Sequence, residues 1–480
     1  MTTALLTDFP DALSPMVVKE LRQGLRTRLF AGVLLVLHSL MLVITLISGA
    51  AENASDVDGM RTSLMVLVLC MILPLRGFSA LAGEIQQNTM DMLVLTRLSA
   101  LRIVFGKWAS LAAQLTLVAV SLLPYIVARY LYGAQDLVAD MLMLGVYWIL
   151  GLVITAAVVC LSTQKAFWLR AVVVLMFGFV PFWVGVMFAA SMVFGGRGGS
   201  SWSSAMWSGS GLFTGSAWWV ASAVLVAAAW SVFYFISLAA TRVAPPSENL
   251  ATLKRCVNGG LTLALVLASY IGMPEFLDVA LVVLSLATLD ALTERNPEMS
   301  SIYLPFYRRG LPGRVAAWFL SPGWMSGVGF SFVLAAVVGL RLRSEIGPVD
   351  GLLAMFSVVD MWMISALVLI SSGRKSRDLL GPWIIIFVIM MVIQSLISTV
   401  SLVPAAMSEQ TPWGLCLLPG LASSGYELAQ TDDQALFFNL SSGIGTLWPL
   451  ILIVAMVIAA RGSRELRKET HALAKGGMAA

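Results

Sequence analysis

The chain contains 480 residues, of which 59% are hydrophobic and 12% charged, and its mean hydropathy is +0.89. Soluble domains have about a quarter of their residues charged, so this composition excludes a soluble globular protein and predicts an all-α, polytopic integral membrane helix bundle. The net charge of +4 is small, and no basic run with interleaved aromatic residues indicates a nucleic-acid partner.

An amphipathic helix is predicted within residues 1–29. Ser14 can cap it and Pro15 suits its first position. An apolar stripe with a spacing of four residues faces basic and polar side chains. The stripe consists of Val17, Leu21, Leu25 and Leu29. A helix of this kind lies in the plane of the membrane interface. The alternative is a basic flank that only sets the topology.

Apolar runs of about twenty residues, the length that an α-helix needs to cross the hydrocarbon core, predict about twelve spans. Six lie in residues 30–241 and six in residues 242–460, and the seventh and eighth are divided at Met273–Glu275. The predicted spans are Phe30–Ala50, Thr62–Leu81, Trp108–Tyr130, Leu137–Leu161, Ala171–Phe194, Trp218–Ala240, Leu261–Met273, Glu275–Ala291, Gly323–Leu340, Gly351–Ser371, Trp383–Pro404 and Ile444–Ala460.

The distribution of Lys and Arg predicts that both termini are cytoplasmic, because positively charged loops stay on that side. In this orientation the outer segments hold only five of the 30 basic residues. These five are Arg61, Arg129, Arg197, Arg341 and Arg343. Residues 461–480 then form a basic cytoplasmic tail.

A charged insert, residues 83–107, lies between the second and third spans and reads GEIQQNTMDMLVLTRLSALRIVFGK. Charges of both signs are flanked by Leu93, Leu95, Leu98 and Leu101. This pattern is typical of a helix that lies on a membrane surface and offers charges to a soluble partner. The alternative is an ordinary cytoplasmic loop whose charges keep it in water.

The order of an amphipathic N-terminal helix, two spans and this insert resembles the membrane subunits of type-two ATP-binding-cassette (ABC-2) exporters. The motif of that family has an acidic residue, a Thr-rich turn, a Leu-rich stretch, a Ser and a Gly-Lys before the third span. The matching positions are Glu84, Thr89, Leu93, Leu95, Thr96, Leu98, Ser99, Gly106 and Lys107. The resemblance covers Ser14 to about Ala240.

The resemblance implies a mechanical role for two segments. An elbow helix precedes the first span in that family, here Pro15–Arg28, and a coupling helix docks on a separate ATPase, here about Glu84–Arg102. The implied coupling residues are Glu84, Thr89, Asp91, Arg97, Ser99, Arg102 and Lys107. The family also has a helical element on the outer side between its fifth and sixth spans. The Gly- and Ser-rich segment 195–216 departs from that pattern.

A second insert, residues 293–320, follows the eighth span as the first insert follows the second. Glu294 and Arg314 would match Glu84 and Arg102, and the segment 247–257 resembles a second interfacial helix capped by Ser247. The predicted coupling residues here are Glu294, Arg308, Arg309 and Arg314. The Gly-Lys ending is absent. If the halves are repeats, one chain supplies both halves of a transmembrane pathway; otherwise a homodimer is expected.

The sequence contains no phosphate-binding loop of the GxxxxGK[ST] type. Its two His, His38 and His471, and its four Cys form no catalytic or metal-binding pattern. We therefore predict a protein that is not an enzyme and has no cofactor or metal of its own. The resemblance implies the permease subunit of an ATP-driven exporter in a bacterial plasma membrane, in contact with lipid and with an ABC ATPase that binds the ATP.

Ionisable and strongly polar residues within predicted spans are functional candidates, because burying them in a membrane is costly. Asp360 is the clearest, with His38, Gln114 and Gln394 as further cases. Asp360 forms either a hydrogen bond between helices or a proton-coupling site. The second reading gives an alternative function, a proton-coupled secondary transporter that uses Asp360 or His38. A membrane scaffold without transport activity is a third.

Overall fold

The computed structural model describes residues 15–50, 54–86, 99–131, 137–163, 217–245, 248–271, 276–294, 296, 299, 302–371, 379–408, 411, 413–422, 426, 432–462 and 470. Within these residues the chain is helical and contains no strand. The chain divides into two compact units, Met1–Ala244 (unit 1) and Pro245–Ala480 (unit 2). The described part is therefore all-α, as predicted.

The helices of unit 1 are α1 (Pro15–Leu25), α2 (Arg28–Ala50), α3 (Ala54–Val66), α4 (Leu73–Leu75), α5 (Ala82–Gln86), α6 (Ala100–Ser121), α7 (Leu123–Leu131), α8 (Leu137–Leu161) and α9 (Ala217–Val243). The first of them opens at Pro15, as predicted, while Ser14 lies outside the described residues. α1 packs against α6. Thr27 Oγ1 accepts a hydrogen bond from Phe30 N (3.4 Å) and donates one to Gly24 O (2.8 Å). Thr27 therefore caps α2 and forms the corner between α1 and α2.

The second span of unit 1 is irregular around Pro74, which has no N–H group to donate. A π-helical turn, Leu67–Ile72, precedes α4, and a 3-10 turn, Arg76–Ser79, follows it. Pro is one of the few recognised causes of a sharp change in a long helix, and single π-helical turns accommodate such changes. The irregular stretch brings Arg76 beside the corner between α1 and α2.

The helices of unit 2 are α10 (Ala251–Tyr270), α11 (Phe276–Thr293), α12 (Leu304–Tyr307), α13 (Gly310–Leu320), α14 (Trp324–Ile346), α15 (Pro348–Ser371), α16 (Leu380–Ser408) and α17 (Gln434–Gly462). Ser247, the predicted cap of a second interfacial helix, lies outside the described residues. The described part of segment 247–257 does not form a separate interfacial helix, so that prediction is wrong. Its residues from Ala251 onward are the first turns of α10, which continues into the seventh predicted span. The helix does not break at its two basic residues because buried carboxylates neutralise both, as described below.

Nine of the described helical segments are long and apolar enough to cross a membrane, so the chain is a multi-pass membrane protein. They are Arg28–Ser48, Met60–Glu84, Ala100–Leu131, Leu137–Leu161, Ala221–Val243, Phe276–Thr293, Trp324–Ile346, Pro348–Ser371 and Gln434–Ile458. The predicted spans 261–273 and 383–404 lie largely within α10 and α16. The predicted span 171–194 and the division at Met273–Glu275 lie outside the described residues.

Interhelical hydrogen bonds supplement apolar packing in both units. In unit 1, Trp148 Nε1 donates to Thr116 Oγ1 at 3.0 Å, which joins α8 to α6. In unit 2, Trp362 Nε1 donates to Ser331 Oγ at 3.3 Å, which joins α15 to α14. Hydrogen bonds of this type hold helices together where lipid removes the hydrophobic driving force for association.

Candidate coupling site

Three charged side chains meet where the first insert joins the bundle. Lys107 Nζ lies 2.8 Å from Glu84 Oε1 and 3.1 Å from Glu20 Oε1. The Lys107 side chain is only 5% exposed, whereas those of Glu20 and Glu84 are 27% and 26% exposed. We call these three residues the first charge cluster. The lysine is shielded from water and the carboxylates remain partly hydrated, an arrangement that lowers the desolvation cost of the group.

The helix positions explain why these residues meet. Glu20 lies on α1, Glu84 lies on α5 at the end of the second span, and Lys107 lies in the second turn of α6. The third membrane-spanning helix begins at Ala100 rather than at the predicted Trp108. Lys107 therefore belongs to that helix and not to the insert, and its buried side chain reaches back to both neighbours.

Arg76 makes a second connection between the same elements. Its guanidinium donates hydrogen bonds to Gly24 O (3.1 Å), to Thr27 Oγ1 (3.0 Å) and to Gln114 Oε1. It also lies 5.3 Å from the centroid of the Phe30 ring. Arg76 thus joins the second span, the corner between α1 and α2, and α6. These contacts give Arg76 a structural role, and they place Gln114, predicted as an intramembrane polar candidate, in the same network.

The described ends of the first insert lie next to these contacts. Thr89, Asp91 and Arg97 lie outside the described residues. Ser99 directly precedes α6, and its carbonyl accepts hydrogen bonds from the backbone N–H groups of Arg102 (3.0 Å) and of the next residue. Arg102 is exposed in the first turn of α6. The described residues of the predicted coupling surface are therefore one exposed arginine, one exposed serine, one partly exposed glutamate and one buried lysine.

Unit 2 contains a more deeply buried group of four charges at the corresponding end of α11. Lys254 Nζ lies 2.7 Å from Asp290 Oδ1 and 3.2 Å from Glu294 Oε1, and Arg255 lies 2.5 Å from Glu294 Oε2. We call these four residues the second charge cluster. None of the four side chains is more than 9% exposed. The two cations and two anions balance, as buried charges require.

Arg255 also binds the backbone at the end of the second insert. Its guanidinium donates to the carbonyls of Phe319 (2.8 Å), Ser321 (2.6 Å) and Gly323 (2.9 Å). Gly323 has a φ of +115°, which a residue with a side chain rarely adopts, and its N–H donates to Glu294 Oε2 at 3.3 Å. The second charge cluster therefore fixes the turn between α13 and α14.

The other predicted coupling residues of the second insert are nearer to solvent or lipid. Arg308 and Arg309 are exposed between α12 and α13. Arg314 lies over the Tyr307 ring at 5.9 Å from its centroid. Glu294, in contrast, is held in the second charge cluster. The structure thus separates Glu294 from the three arginines with which the sequence grouped it.

Two intramembrane candidates have hydrogen-bond partners on other helices. His38 Nδ1 lies 3.0 Å from Tyr125 Oη and its Nε2 lies 3.1 Å from Ser121 Oγ. Asp360 Oδ2 accepts a hydrogen bond of 2.8 Å from Gln394 Nε2, which joins α15 to α16. The structure therefore brings together Asp360 and Gln394, and it agrees with the interpretation of Asp360 as a residue that bonds between helices.

The sequence interpretation missed four residues of the charge clusters. The sequence pattern places Glu20 only on the polar face of α1, and it places Lys254 and Arg255 within the predicted interfacial segment 247–257. Asp290 lies near the end of the predicted span Glu275–Ala291. An acidic residue inside an apolar run needs a cation or hydrogen-bond donor, so Asp290 was the available signal. Its partner could not be chosen from the sequence, because several basic residues lie at comparable distances along the chain.

A similar arrangement lies at the opposite end of unit 1. Asp140 accepts two hydrogen bonds of 3.1 Å from Arg61 and lies 2.5 Å from Arg129 Nη1. Both arginines are buried. These are two of the five basic residues that the sequence analysis assigned to outer segments. Inside the protein both arginines pair with Asp140, and these ion pairs join the second, third and fourth membrane-spanning helices.

Comparison with known proteins identified no relative: no family model, curated protein or solved structure matched the chain. The ABC-2 resemblance therefore rests on the residues of the first insert and the order of the neighbouring helices.

Proposed function

We propose that the chain is the permease subunit of an ATP-driven exporter and receives force from a separate ABC ATPase. The observation that carries the proposal is the first charge cluster. Glu84 lies on α5 just before segment 87–98, Lys107 lies on α6, the helix that follows the segment, and Glu20 of α1 joins the same lysine. A force applied to that segment is therefore transmitted to α1, α5 and α6 together.

The proposed mechanism uses these connections as a rigid lever. The ATPase binds to the first insert, where Thr89, Asp91, Arg97 and Arg102 are the predicted contact residues. When it closes on ATP, the insert moves, and the ion pairs of Lys107 oblige α1 and α6 to move with it. Packed helices move as rigid bodies, so the movement opens the pathway for the exported substrate. The chain supplies the pathway and the partner supplies the energy, because the sequence lacks a phosphate-binding loop.

The proposal includes a location and an orientation. The insert and both termini face the cytoplasm, where ATP is available, and the membrane is the bacterial plasma membrane. The excess of Lys and Arg in the segments assigned to that side supports the orientation.

The test compares Lys107→Met with Lys107→Arg in the full-length chain, purified from its native membrane and reconstituted into vesicles. We expect the wild-type complex to retain an ATPase subunit in fixed stoichiometry and to hydrolyse ATP. Lys107→Met should lower this activity by about fivefold or more, a typical coupling effect, while the ATPase remains bound. Lys107→Arg keeps the charge and should retain most of the activity.

Asp360→Asn distinguishes this function from proton-coupled transport. The substitution removes the titratable group but preserves a hydrogen-bonding side chain opposite Gln394, so the ATP-driven function predicts little change in ATP hydrolysis. Transport by the purified chain without any ATPase, abolished by Asp360→Asn, would overturn the proposal in favour of a secondary transporter. Purification with neither an ATPase nor transport activity would favour a scaffold.

A further inference from the structure

The short helix α13 of the second insert exposes an apolar stripe. Leu311, Val315 and Trp318 are 75%, 60% and 59% exposed, and their spacing of four and three residues places them on one helical face. Gly313 and Ala317, on another face, are buried. The buried face packs against unit 2, so the stripe points away from that unit.

The position of α13 along the chain keeps this stripe close to the membrane. Only Ser321, Pro322 and Gly323 separate α13 from the membrane-spanning helix α14. Arg255 holds the carbonyls at both ends of this turn, and Thr252 Oγ1 donates to Leu320 O at 2.9 Å. An eleven-residue helix is only about 16 Å long. With its C-terminal end fixed to α10, α13 cannot extend far from the end of α14.

The charges beside the stripe match a lipid surface. Arg308 and Arg309 are exposed immediately before α13. A helix with an exposed apolar face, an aromatic residue in that face and arginines at its edge is typical of segments that lie at the boundary between acyl chains and anionic headgroups. An apolar stripe of this kind could also form the core of a protein interface, but only three residues separate α13 from the membrane-spanning helix α14, which favours lipid as the occupant.

We propose that α13 is an interfacial lipid-binding helix. Its Leu311–Val315–Trp318 stripe is inserted among the acyl chains of the adjacent leaflet, and Arg308 and Arg309 bind phosphates of anionic lipids. This role replaces the ATPase contact predicted for these arginines and is independent of the proposed ATP-driven function. In this proposal the second charge cluster holds α13 at a constant angle to α14, because Arg255 fixes the turn between the two helices.

The test measures the depth of single nitroxide labels in the full-length chain in lipid nanodiscs. The exposed Cys256 is replaced by Ser, and the label is placed at Val315→Cys, at Leu311→Cys or at the exposed reference position Asn296→Cys. We expect the labels at 311 and 315 to collide several-fold more often with oxygen than with a water-soluble nickel chelate. The label at 296 should show the opposite preference. Because positions 311 and 315 lie on the same stripe, either labelled variant can test the inference if the other fails to fold.

A second measurement tests the arginines. The protein is first placed in nanodiscs that contain equal amounts of phosphatidylcholine and phosphatidylglycerol. It is then extracted with detergent, and the lipids that remain bound to it are quantified. The enrichment of phosphatidylglycerol should fall by up to about fivefold for each arginine replaced in Arg308→Gln and Arg309→Gln. The exposed Arg343→Gln, at the other end of α14, is the matched control and should leave the enrichment unchanged.

Two outcomes would overturn the inference. One is equal access of the nickel chelate to positions 296 and 315 in the nanodisc. The other is a label at 315 that becomes shielded only when a soluble subunit is added, which would make the stripe a protein-docking surface. Neither outcome affects the Lys107 test of the proposed function, because that test concerns a different insert.

Discussion

At the scale of single residues, the two charge clusters differ in their contact with solvent. Lys107 is paired with carboxylates that are about a quarter exposed, whereas Lys254 is paired with Asp290, and both of those side chains are 2% exposed. An exposed carboxylate that loses its cation can be solvated by water. A buried one cannot, and it must either remain charged in a poor environment or take up a proton.

Lys254→Met therefore tests whether the second charge cluster stabilises unit 2. Removing one partner of a buried ion pair costs about 3–5 kcal/mol, while replacing both partners with apolar residues is often close to neutral. We expect Lys254→Met to lower the thermal unfolding temperature of the detergent-purified protein strongly. Lys254→Met combined with Asp290→Leu should recover most of the loss, since Arg255 and Glu294 remain paired.

Lys107→Met serves as the comparison for that experiment. It should lower the unfolding temperature less than Lys254→Met does, because Glu20 and Glu84 can be hydrated. Equal losses for the two lysines, or a double variant as unstable as Lys254→Met alone, would show that burial does not determine the energetic weight of these pairs.

At the scale of helices, close approach depends on glycine at a few positions. A Cβ atom added at Gly327 of α14 would lie 2.0 Å from Ala291 O of α11, and one added at Gly151 of α8 would lie 2.6 Å from Leu69 O. Both distances are far shorter than a van der Waals contact, and each involves backbone that cannot rotate away. Small residues at such positions allow membrane helices to pack closely.

Gly327→Ala should separate α14 from α11 and destabilise unit 2. Overpacking a well-filled helix contact costs about 1–3 kcal/mol, which we expect to appear as a lower unfolding temperature. Gly260→Ala on α10 is the matched control, since an added Cβ there meets nothing within 4 Å. The control should be neutral or slightly stabilising, because Ala has the higher helix propensity by about 1 kcal/mol. A destabilisation of the same size in both variants would contradict the packing argument.

At the scale of the whole molecule, each unit carries a charge cluster at one end of its helices and a buried arginine at the other. In unit 1 these are Lys107 and Arg129; in unit 2 they are Lys254 and Arg341, which donates to Ser269 O at 2.9 Å. Whether the two halves are repeats stays a prediction. The N-terminal parts of the two units differ. Unit 1 has a separate helix, α1, before its first span, whereas in unit 2 the helix α10 continues without a break.

The predicted orientation can be tested with the native cysteines. Cys256 is exposed near the start of α10 and is predicted to face the cytoplasm. Cys416 is buried, and burial raises the pKa of its thiol to about 11, so little reactive thiolate is present near neutral pH. A membrane-impermeant maleimide should therefore modify Cys256 in inside-out vesicles and not in intact cells.

Cys416 provides the internal control for this labelling. It should react only after denaturation, because its side chain must first be exposed and its thiol pKa must return to its ordinary value. Modification of Cys256 in intact cells would reverse the predicted orientation and, with it, the access of the first insert to ATP.

Much of the helical organisation could be predicted from the sequence. Apolar runs predicted about twelve spans, of which the described residues confirm nine as membrane-spanning helices, and the predicted span Leu137–Leu161 coincides with α8. Helix ends were less predictable where charged residues extend into the bundle. The third span can start at Ala100 because two carboxylates neutralise Lys107. A hydropathy profile does not show this pairing, since Glu20 and Glu84 are distant from Lys107 in the sequence.

Composition and periodicity alone determined that this protein is a multi-pass, all-α membrane protein, because the hydrocarbon core requires long apolar helices whatever their arrangement. The tertiary structure decided which charges are used inside the protein and which remain on its surface. It paired Lys107 with Glu20 and Glu84, and Lys254 with Asp290. It also left Leu311, Val315 and Trp318 exposed. Burial and pairing depend on which helices become neighbours, and that choice is made by side-chain packing between residues far apart in the sequence.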